Sequence, residues 1–180
     1  TRNEAIKHTN PNSKYLLNHD SDDISLPIKL EKLVECLETH PEIAIVGCFA
    51  EYFDETGNTR GQPPIEWQSW RIRETFGDVN SMINSAALIR REVFHKIGGY
   101  REEYRSVDDY DFFARALIAG FELANVPEVL HRIRLHSESI GNTRMKTQKM
   151  LAKKIQQYYI TEEQKNTKQS LPQVLVSIPH

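Results

Sequence analysis

An uninterrupted apolar run in the first third of the chain constrains the fold more than any other feature. Residues 43–50 read Ile-Ala-Ile-Val-Gly-Cys-Phe-Ala, without a charged side chain. A strand with two apolar faces must be covered on both, as in the parallel sheets of α/β proteins. Residues 14–18 predict an earlier short strand, and a helix between the two strands carries apolar side chains at helical spacing: Leu30, Leu33, Val34 and Leu37. The order strand, helix, strand predicts an α/β domain.

Two acidic clusters interrupt this pattern. Residues 20–23 (Asp-Ser-Asp-Asp) follow the first predicted strand, and residues 108–111 (Asp-Asp-Tyr-Asp) open a later predicted helix. Clustered carboxylates repel one another unless a cation or a hydrogen-bond donor compensates them, whereas a helix N-terminus favours negative charge. If the fold joins the clusters, we expect one to hold a divalent metal and the other to handle a proton.

Each cluster also has a simpler interpretation as a helix cap. Ser25 offers an N-cap for the helix that follows the first cluster, and Asp109 would sit at the N-terminus of its own helix. A calcium loop of the EF-hand type is excluded at residues 20–31, because Ser25 occupies the position that needs Gly and Pro27 intrudes. Taken one cluster at a time, the residues leave capping and metal or proton chemistry open.

Composition narrows the class of protein. With 180 residues, 39% of them hydrophobic and 27% charged, the chain predicts one soluble globular domain. The net charge of −2 gives no general attraction for nucleic acid. Cys36 and Cys48 fit small buried hydrophobes in a reducing, cytosolic setting. No apolar run approaches the ~20 residues of a membrane span, so any membrane contact is predicted to be peripheral.

The rest of the chain is less regular. Residues 60–80 predict a long loop whose Trp67 and Trp70 either pack on a sugar ring or are buried. Residues 128–136 alternate as a strand, with one face mostly cationic. An amphipathic helix is predicted over 144–160, with Leu151, Ile155 and Tyr158 on one stripe, followed by a polar linker over 161–170 and a final apolar strand pattern.

Several spaced motifs resemble the family 2 glycosyltransferases, inverting enzymes of the GT-A fold. Five segments carry the resemblance, in order: residues 2–6 ("ARNxGI"), 14–23 ("KYIAFLDSDD"), 85–94 with the following Gly98-Gly99-Tyr100 ("ALIRREVFEKVGGF"), 108–111 with Arg115 ("EDYDLWLR"), and Arg134, His136 and Ser139 ("RxHxxSxS"). The chain departs from the family pattern at Asn18-His19, at Asp108 where Glu is common, and at Gly141 where Ser is usual.

The resemblance implies site roles. Asp20 and Asp22 are the two acids of a DxD motif that holds Mn or Mg, with Asp22 ligating directly. Asp109 matches the catalytic base. His136 matches a histidine that approaches the metal or the diphosphate, and Arg134, together with Arg132, would add positive charge at the nucleotide-diphosphate sugar.

It also implies a fold and domain limits. We expect a GT-A three-layer sandwich with a mixed, mainly parallel sheet, truncated at the N-terminus, because the family's first strand and much of its base pocket precede Thr1. The predicted divisions are a partial GT-A domain at 1–142, an amphipathic helix at 143–160, and a linker with the first strand of a following domain at 161–180.

The resemblance predicts a hexosyltransferase-like enzyme of cell-surface polysaccharide biosynthesis. A nucleotide-diphosphate sugar is the expected donor, and a glycan, lipid-linked or protein hydroxyl the acceptor. The expected location is the cytoplasm, at the inner face of the membrane. The alternatives are a non-catalytic carbohydrate- or partner-binding module of the same fold and a metal-dependent phosphohydrolase, and the activity of the isolated fragment is left open.

Overall fold

The computed structural model describes residues 1–135 and 142–170. Helices and strands alternate irregularly along this part of the chain. The helices are α1 (Arg2–Lys7), α2 (Lys29–Thr39), α3 (Ser69–Thr75), α4 (Arg91–Ile97), α5 (Asp108–Ile118) and α6 (Asn142–Ser170). The strands are β1 (Tyr15–Leu17), β2 (Ile24–Ser25), β3 (Ile43–Phe53), β4 (Leu88–Arg90) and β5 (Glu122–Arg134).

The strands form one mixed sheet in the order β1-β4-β3-β5-β2. β3 and β5 run parallel over the longest stretch, from the pair Ile43–Glu122 to the pair Phe53–Arg134. The shorter pairings of β1 with β4, β3 with β4, and β2 with β5 are antiparallel. The predicted mixed α/β sheet is therefore confirmed, with the apolar run at its centre.

The central strand explains why both faces of the sheet need cover. Ile45 packs into a core that α3, α4, α5 and α6 share, whereas its neighbour Val46 packs against Leu33 and Leu37 of α2. Because successive side chains of a strand point to opposite faces, the continuous apolar run supplies both cores. Helices on the two faces give the three layers that the sequence predicts.

The strand β2 corrects the prediction that Ser25 caps a helix. Ser25 pairs with His131 and Ile24 with Arg132 in a short antiparallel ladder, and α2 begins only at Lys29. A cap preference is local and weak, whereas the free edge of β5 offers backbone hydrogen-bond partners to residues 24 and 25. This ladder attaches the end of the first acidic cluster to β5.

Helix α6 is longer than predicted. It continues to Ser170, through residues 161–170 where the polar composition predicted a linker. Glu163 in this stretch pairs with Arg73 at 2.9 Å, and Lys165 pairs with Glu162 one turn away. Ile155 and Tyr159 are buried, whereas Tyr158, predicted on the apolar stripe, is 41% exposed.

The proposed domain divisions stay predictions. Residues 171–180, with the predicted strand of a following domain, lie outside the described residues. In the ranges 1–135 and 142–170, no helix is both long and apolar enough to cross a membrane.

Candidate active site

The two acidic clusters meet in one cleft of about 360 Å³. Asp20, Asp22 and Asp23 line it from the loop after β1, and Asp109 lines it from the start of α5. The remaining lining comes from Arg2, residues 82–85, Ile133 and Arg134. Residues more than eighty positions apart in sequence thus share one concave surface, which is the condition that the hypothesis of a joint site requires. Their roles remain predictions.

The first acidic cluster is a tight turn between β1 and β2. The backbone N–H of Asp23 donates to the carbonyl of Asp20 at 3.2 Å, which closes the turn. The Asp20 side chain is exposed, and the Asp22 backbone carbonyl accepts a hydrogen bond from Nε of Arg134 at 3.2 Å. The turn is therefore fastened to the end of β5 while its first carboxylate faces the opening.

The carboxylate of Asp23 is held by hydrogen bonds from three other residues. Its Oδ2 accepts hydrogen bonds from Ser85 Oγ at 2.7 Å and from His131 Nε2 at 2.9 Å, and its Oδ1 accepts one from the backbone N–H of Arg134 at 3.1 Å. Burial by itself would raise the pKa of Asp23, but these donors outweigh it and hold the pKa below its ordinary value. Asp23 anchors the turn.

A buried polar group lies beneath this anchor. His131 is 0% exposed, and its Nδ1 lies 3.0 Å from Nζ of Lys29, a residue that is also buried. Lys29 also donates to the carbonyl of Ser85 at 3.0 Å and to Ser25 Oγ at 3.3 Å, while burial lowers its pKa.

Sequence reasoning assigned no role to this group. A signal was available, since Lys29 stands four residues before Leu33 and eight before Leu37, the two other buried positions of α2. A lysine on the buried stripe of a helix requires polar partners in the core. His131 likewise occupies the apolar face of the alternating strand.

The second acidic cluster begins α5. The carboxylate of Asp109 accepts the backbone N–H of Tyr110 at 2.8 Å and borders the cleft. Burial raises the pKa of Asp109, and the neighbouring charge of Asp108 adds to that rise. Asp108 itself pairs with Arg2 at 2.7 Å. A carboxylate with a raised pKa, open to a cleft, is suited to accept a proton.

Asp111, the last acid of this cluster, points into the protein. It is 1% exposed and receives both Arg101 and Arg115, the latter at 2.9 Å between Nε and Oδ2. Arg115 also donates to the carbonyls of Ile97 at 2.6 Å and Gly99 at 2.7 Å. Asp111 and Arg115 therefore fasten α5 to the Gly-Gly segment after α4.

That segment in turn positions α1, which carries Arg2. Asn3 and Tyr100 exchange two hydrogen bonds, with the Asn3 amide donating to the Tyr100 carbonyl at 2.7 Å and the Tyr100 N–H donating back at 2.8 Å. A Cβ at Gly99 would lie 2.3 Å from Oδ1 of Asn3, so a larger residue there would displace the Asn3 side chain from Tyr100. The motif at residues 98–100 thus holds α1 against the edge of the cleft.

Three other sequence predictions have different outcomes. Arg132 pairs with Glu51 at 2.6 Å, and its guanidinium group, like that of Arg134, lies over the ring of Phe53, so its predicted role stays a prediction. Trp67 and Trp70 are 47% and 59% exposed, so the prediction of burial is wrong. The backbone carbonyl of Trp67 bonds Asn125, near the opposite end of β5 from the cleft. His136, the predicted third metal ligand, lies outside the described residues.

The carboxylates of the cleft suit a metal site that takes part of its ligands from substrate and water, and not one formed by protein side chains alone. Among residues 1–135 and 142–170, no group of three or more His, Cys, Asp or Glu side chains is arranged to hold a metal ion. Mg²⁺ and comparable hard cations often use only one or two carboxylates and take their other ligands from water and substrate phosphates. Asp20 and Asp22, on the wall of one cleft, fit that arrangement.

The chain is also similar in sequence to known glycosyltransferases. The chain is 28% identical over 125 residues to the amylovoran biosynthesis glycosyltransferase AmsE of Erwinia amylovora, covering 69% of this chain and 46% of AmsE. It is 30% identical over 161 residues to an uncharacterized glycosyltransferase of Haemophilus influenzae, covering 82% of this chain and 48% of that protein. The chain thus spans about half the length of these relatives.

Solved structures show the fold. The mannosyltransferase PcManGT from Pyrobaculum calidifontis, in complex with GDP-Man and Mn²⁺, superposes with a TM-score of 0.52 at 12% identity, over 89% of this chain and 50% of that one. The predicted GT-A fold is confirmed by this likeness. The family model for glycosyl transferase family 2 matches residues 1–98, more than half of the chain. The chain belongs to glycosyl transferase family 2.

Proposed function

We propose that the protein is a metal-dependent, inverting glycosyltransferase that moves a sugar from a nucleotide-diphosphate sugar to an acceptor hydroxyl. The observation that carries the proposal is the shared cleft of Asp20, Asp22 and Asp109. Metal-facing and proton-accepting carboxylates must lie on opposite sides of one sugar for an in-line displacement. A cleft lined by both the acidic loop and a crowded aspartate supports that arrangement.

The proposal assigns the metal site to the loop. Asp22 and Asp20 would hold Mn or Mg, and His136 is a further ligand by resemblance. When bound, the ion neutralises the charge that develops on the leaving diphosphate as the glycosidic bond breaks. Arg134, which lines the same cleft, would add a cation close to the donor phosphates. The Mn²⁺ in the PcManGT complex supports this assignment by analogy.

Asp109 is the proposed base. Its crowded setting raises its pKa, which brings it closer to the range in which a carboxylate takes up a proton from an attacking hydroxyl. A base of this kind leaves the acceptor oxygen free to attack the anomeric carbon from the face opposite the diphosphate, and inversion follows. Arg2 holds Asp108 and so keeps a second carboxylate away from this task.

The acceptor and cellular role are assigned by class only. A glycan, lipid-linked or protein hydroxyl is the proposed acceptor. By resemblance to the family we propose a role in cell-surface polysaccharide biosynthesis with a hexose donor, and the relative AmsE is named for amylovoran biosynthesis. We place the reaction in the cytoplasm at the inner face of the membrane, where peripheral contact through the basic residues of α6 would bring the enzyme to a lipid-linked acceptor.

The direct test is nucleotide release from a panel of UDP-, GDP- and dTDP-hexoses, with Mn²⁺, with Mg²⁺ and with EDTA. We expect release with at least one donor, dependence on an added acceptor, and loss in EDTA. NMR of the product should show an anomeric configuration opposite to that of the donor. Retained configuration would contradict inversion, and donor binding without release would favour the non-catalytic module. Nucleotide release that does not depend on an added acceptor would favour a hydrolase.

A further inference from the structure

The buried Lys29–His131 pair lies directly behind the candidate metal loop. Both side chains are closed off from solvent, and both contact residues that line the cleft, Lys29 the carbonyl of Ser85 and His131 the carboxylate of Asp23. The two residues come from different elements, the first turn of α2 and the C-terminal part of β5. Their hydrogen bonds include a path from Lys29 to His131, from His131 to Asp23, and from Asp23 to the turn that carries Asp20 and Asp22. Ser85 lies beside this path and contacts Lys29, His131 and Asp23.

The chemistry of the pair fixes the direction of each hydrogen bond. An ammonium group has donors only, so the Nδ1 of His131, 3.0 Å from Lys29 Nζ, must accept. The imidazole proton then resides on Nε2, which donates toward Asp23 Oδ2 at 2.9 Å, with the Ser85 hydroxyl as a second neighbour at 3.0 Å. Lys29 therefore selects the tautomer of His131 that can hold a carboxylate.

The polar partners of Lys29 are otherwise neutral. Its ammonium donates to the hydroxyl of Ser25 and the carbonyl of Ser85, so the carboxylate that balances its charge is Asp23, reached through the imidazole. A buried cation of this kind is costly, and a hydrophobic side chain of similar volume is often no less stable at such a position. Fold stability alone thus gives little reason for this arrangement.

Asp23 transmits this constraint to the loop. Its carboxylate receives donors from Ser85, His131 and the backbone of Arg134, and its own N–H closes the turn onto Asp20. Asp22 immediately precedes this fixed residue. Loss of the donors to the Asp23 carboxylate would release the turn from β5, and the carboxylates of Asp20 and Asp22 would no longer be held at a fixed separation.

We propose that Lys29 and His131 are positioning residues for the metal loop: Lys29 sets the tautomer of His131, His131 holds Asp23, and Asp23 holds Asp20 and Asp22 in the geometry that a cation needs. The inference rests on the proposed function for the identity of the ligand. Residues that orient metal ligands from behind typically change metal affinity by ~10–100-fold when they are replaced.

The test uses Mn²⁺ alone, with free Mn²⁺ measured by electron paramagnetic resonance, and needs no turnover. We expect H131L and K29M to raise the Mn²⁺ dissociation constant ~10-fold or more. H131Q should restore most of the affinity, because the glutamine amide can donate to Asp23 while its oxygen accepts from Lys29. The matched control is L123A, which truncates a fully buried side chain at the other end of β5 and should leave Mn²⁺ affinity unchanged.

A second measurement is independent of metal. Amide hydrogen exchange in metal-free protein should quicken over residues 20–25 in H131L and K29M, and should stay at the wild-type rate there in L123A. If H131L does not fold, S85A, which removes a single donor to Asp23, gives a milder version of the same test.

The outcomes separate this inference from the proposed function. Wild-type exchange over residues 20–25 in folded H131L and K29M would overturn the positioning role. Unchanged Mn²⁺ affinity in these variants would do the same, provided that D22A abolishes binding. If D22A binds Mn²⁺ like the wild type, the metal assignment of the proposed function fails, and the exchange measurement still decides whether Lys29 and His131 hold the loop.

Discussion

The two acidic clusters are similar in sequence but are held in different ways. Each contributes carboxylates to the cleft, and in each the last aspartate is an anchor: Asp23 in the loop, which also borders the cleft, and Asp111 in α5, which is buried. The Asp111 carboxylate forms ion pairs with two guanidinium groups. The Asp23 carboxylate accepts hydrogen bonds from a hydroxyl, an imidazole and a backbone N–H.

The difference follows from the backbone around each anchor. Helix α5 already satisfies its own hydrogen bonds, so Asp111 is available to fasten the helix to Arg101 and Arg115 by charge. The turn at residues 20–23 has one closing backbone bond, and its shape depends on the side chain of Asp23. Charge pairs hold the helix of the proposed base in place, whereas directional hydrogen bonds shape the proposed metal loop. Four predictions test this contrast.

The largest expected effect concerns the cleft-facing acid of α5. D109N removes the proposed base and should lower kcat by ~10²–10⁴-fold, the usual contribution of a positioned general base. D108N is the matched control, because Asp108 is the adjacent acid and is engaged by Arg2. Steady-state kinetics with the identified donor gives both values. An equal loss of kcat in D109N and D108N would contradict the assignment of Asp109 as the base.

The next effect concerns stability. D111A leaves Arg101 and Arg115 without their shared carboxylate in a nearly closed site, which should cost ~3–5 kcal/mol in the free energy of unfolding. D23A leaves its donors without a carboxylate, and we expect a smaller loss of ~1–3 kcal/mol. Urea denaturation measures both. A larger loss in D23A than in D111A would reverse the contrast between charge and hydrogen bonding.

The two kinds of aspartate should also respond oppositely to pH. The pKa of Asp23 is lowered in the fold, so its stabilising effect is present above the unfolded-state pKa and is lost as pH falls through the lowered folded value. D23N should therefore be less stable than wild type at neutral pH, and the gap should close in acid.

The pH dependence of stability expected from Asp109 has the opposite sign. Its pKa is raised, so its ionised form opposes folding at neutral pH, and D109N should be the more stable protein there. That gain should vanish as pH falls below the ordinary aspartate value. In the wild type the acid limb of kcat/KM should lie above an ordinary aspartate pKa of 3.8. Denaturation series across pH test both variants, and shifts of the same sign would contradict the assignments.

The smallest stability effect is expected at the exposed end of the loop. D20A removes a solvent-exposed carboxylate and should change the free energy of unfolding by no more than ~0.5 kcal/mol. Mn²⁺ affinity should nevertheless fall. A large stability loss in D20A would mean that this aspartate, like Asp23, serves the fold.

Several parts of the fold were predictable because they depend on local pattern. The apolar run at residues 43–50 required cover on both faces, and the helical spacing of Leu33 and Leu37 placed α2 on one of them. The start of α5 at the acidic cluster followed from the preference of helix N-termini for negative charge. The length of α6 was missed, since its polar last turns are fixed by pairs with distant residues such as Arg73.

The sequence by itself determined the α/β class, the two acidic clusters and, through spaced motifs, the family. Tertiary structure decided which aspartates face the cleft and which are buried anchors, because that depends on partners such as Arg101, His131 and Lys29 that no local pattern connects to them. Hydrogen bonds between residues a hundred positions apart are set by strand register and helix packing. The separation of anchor from cleft-facing acid is therefore a property of the fold.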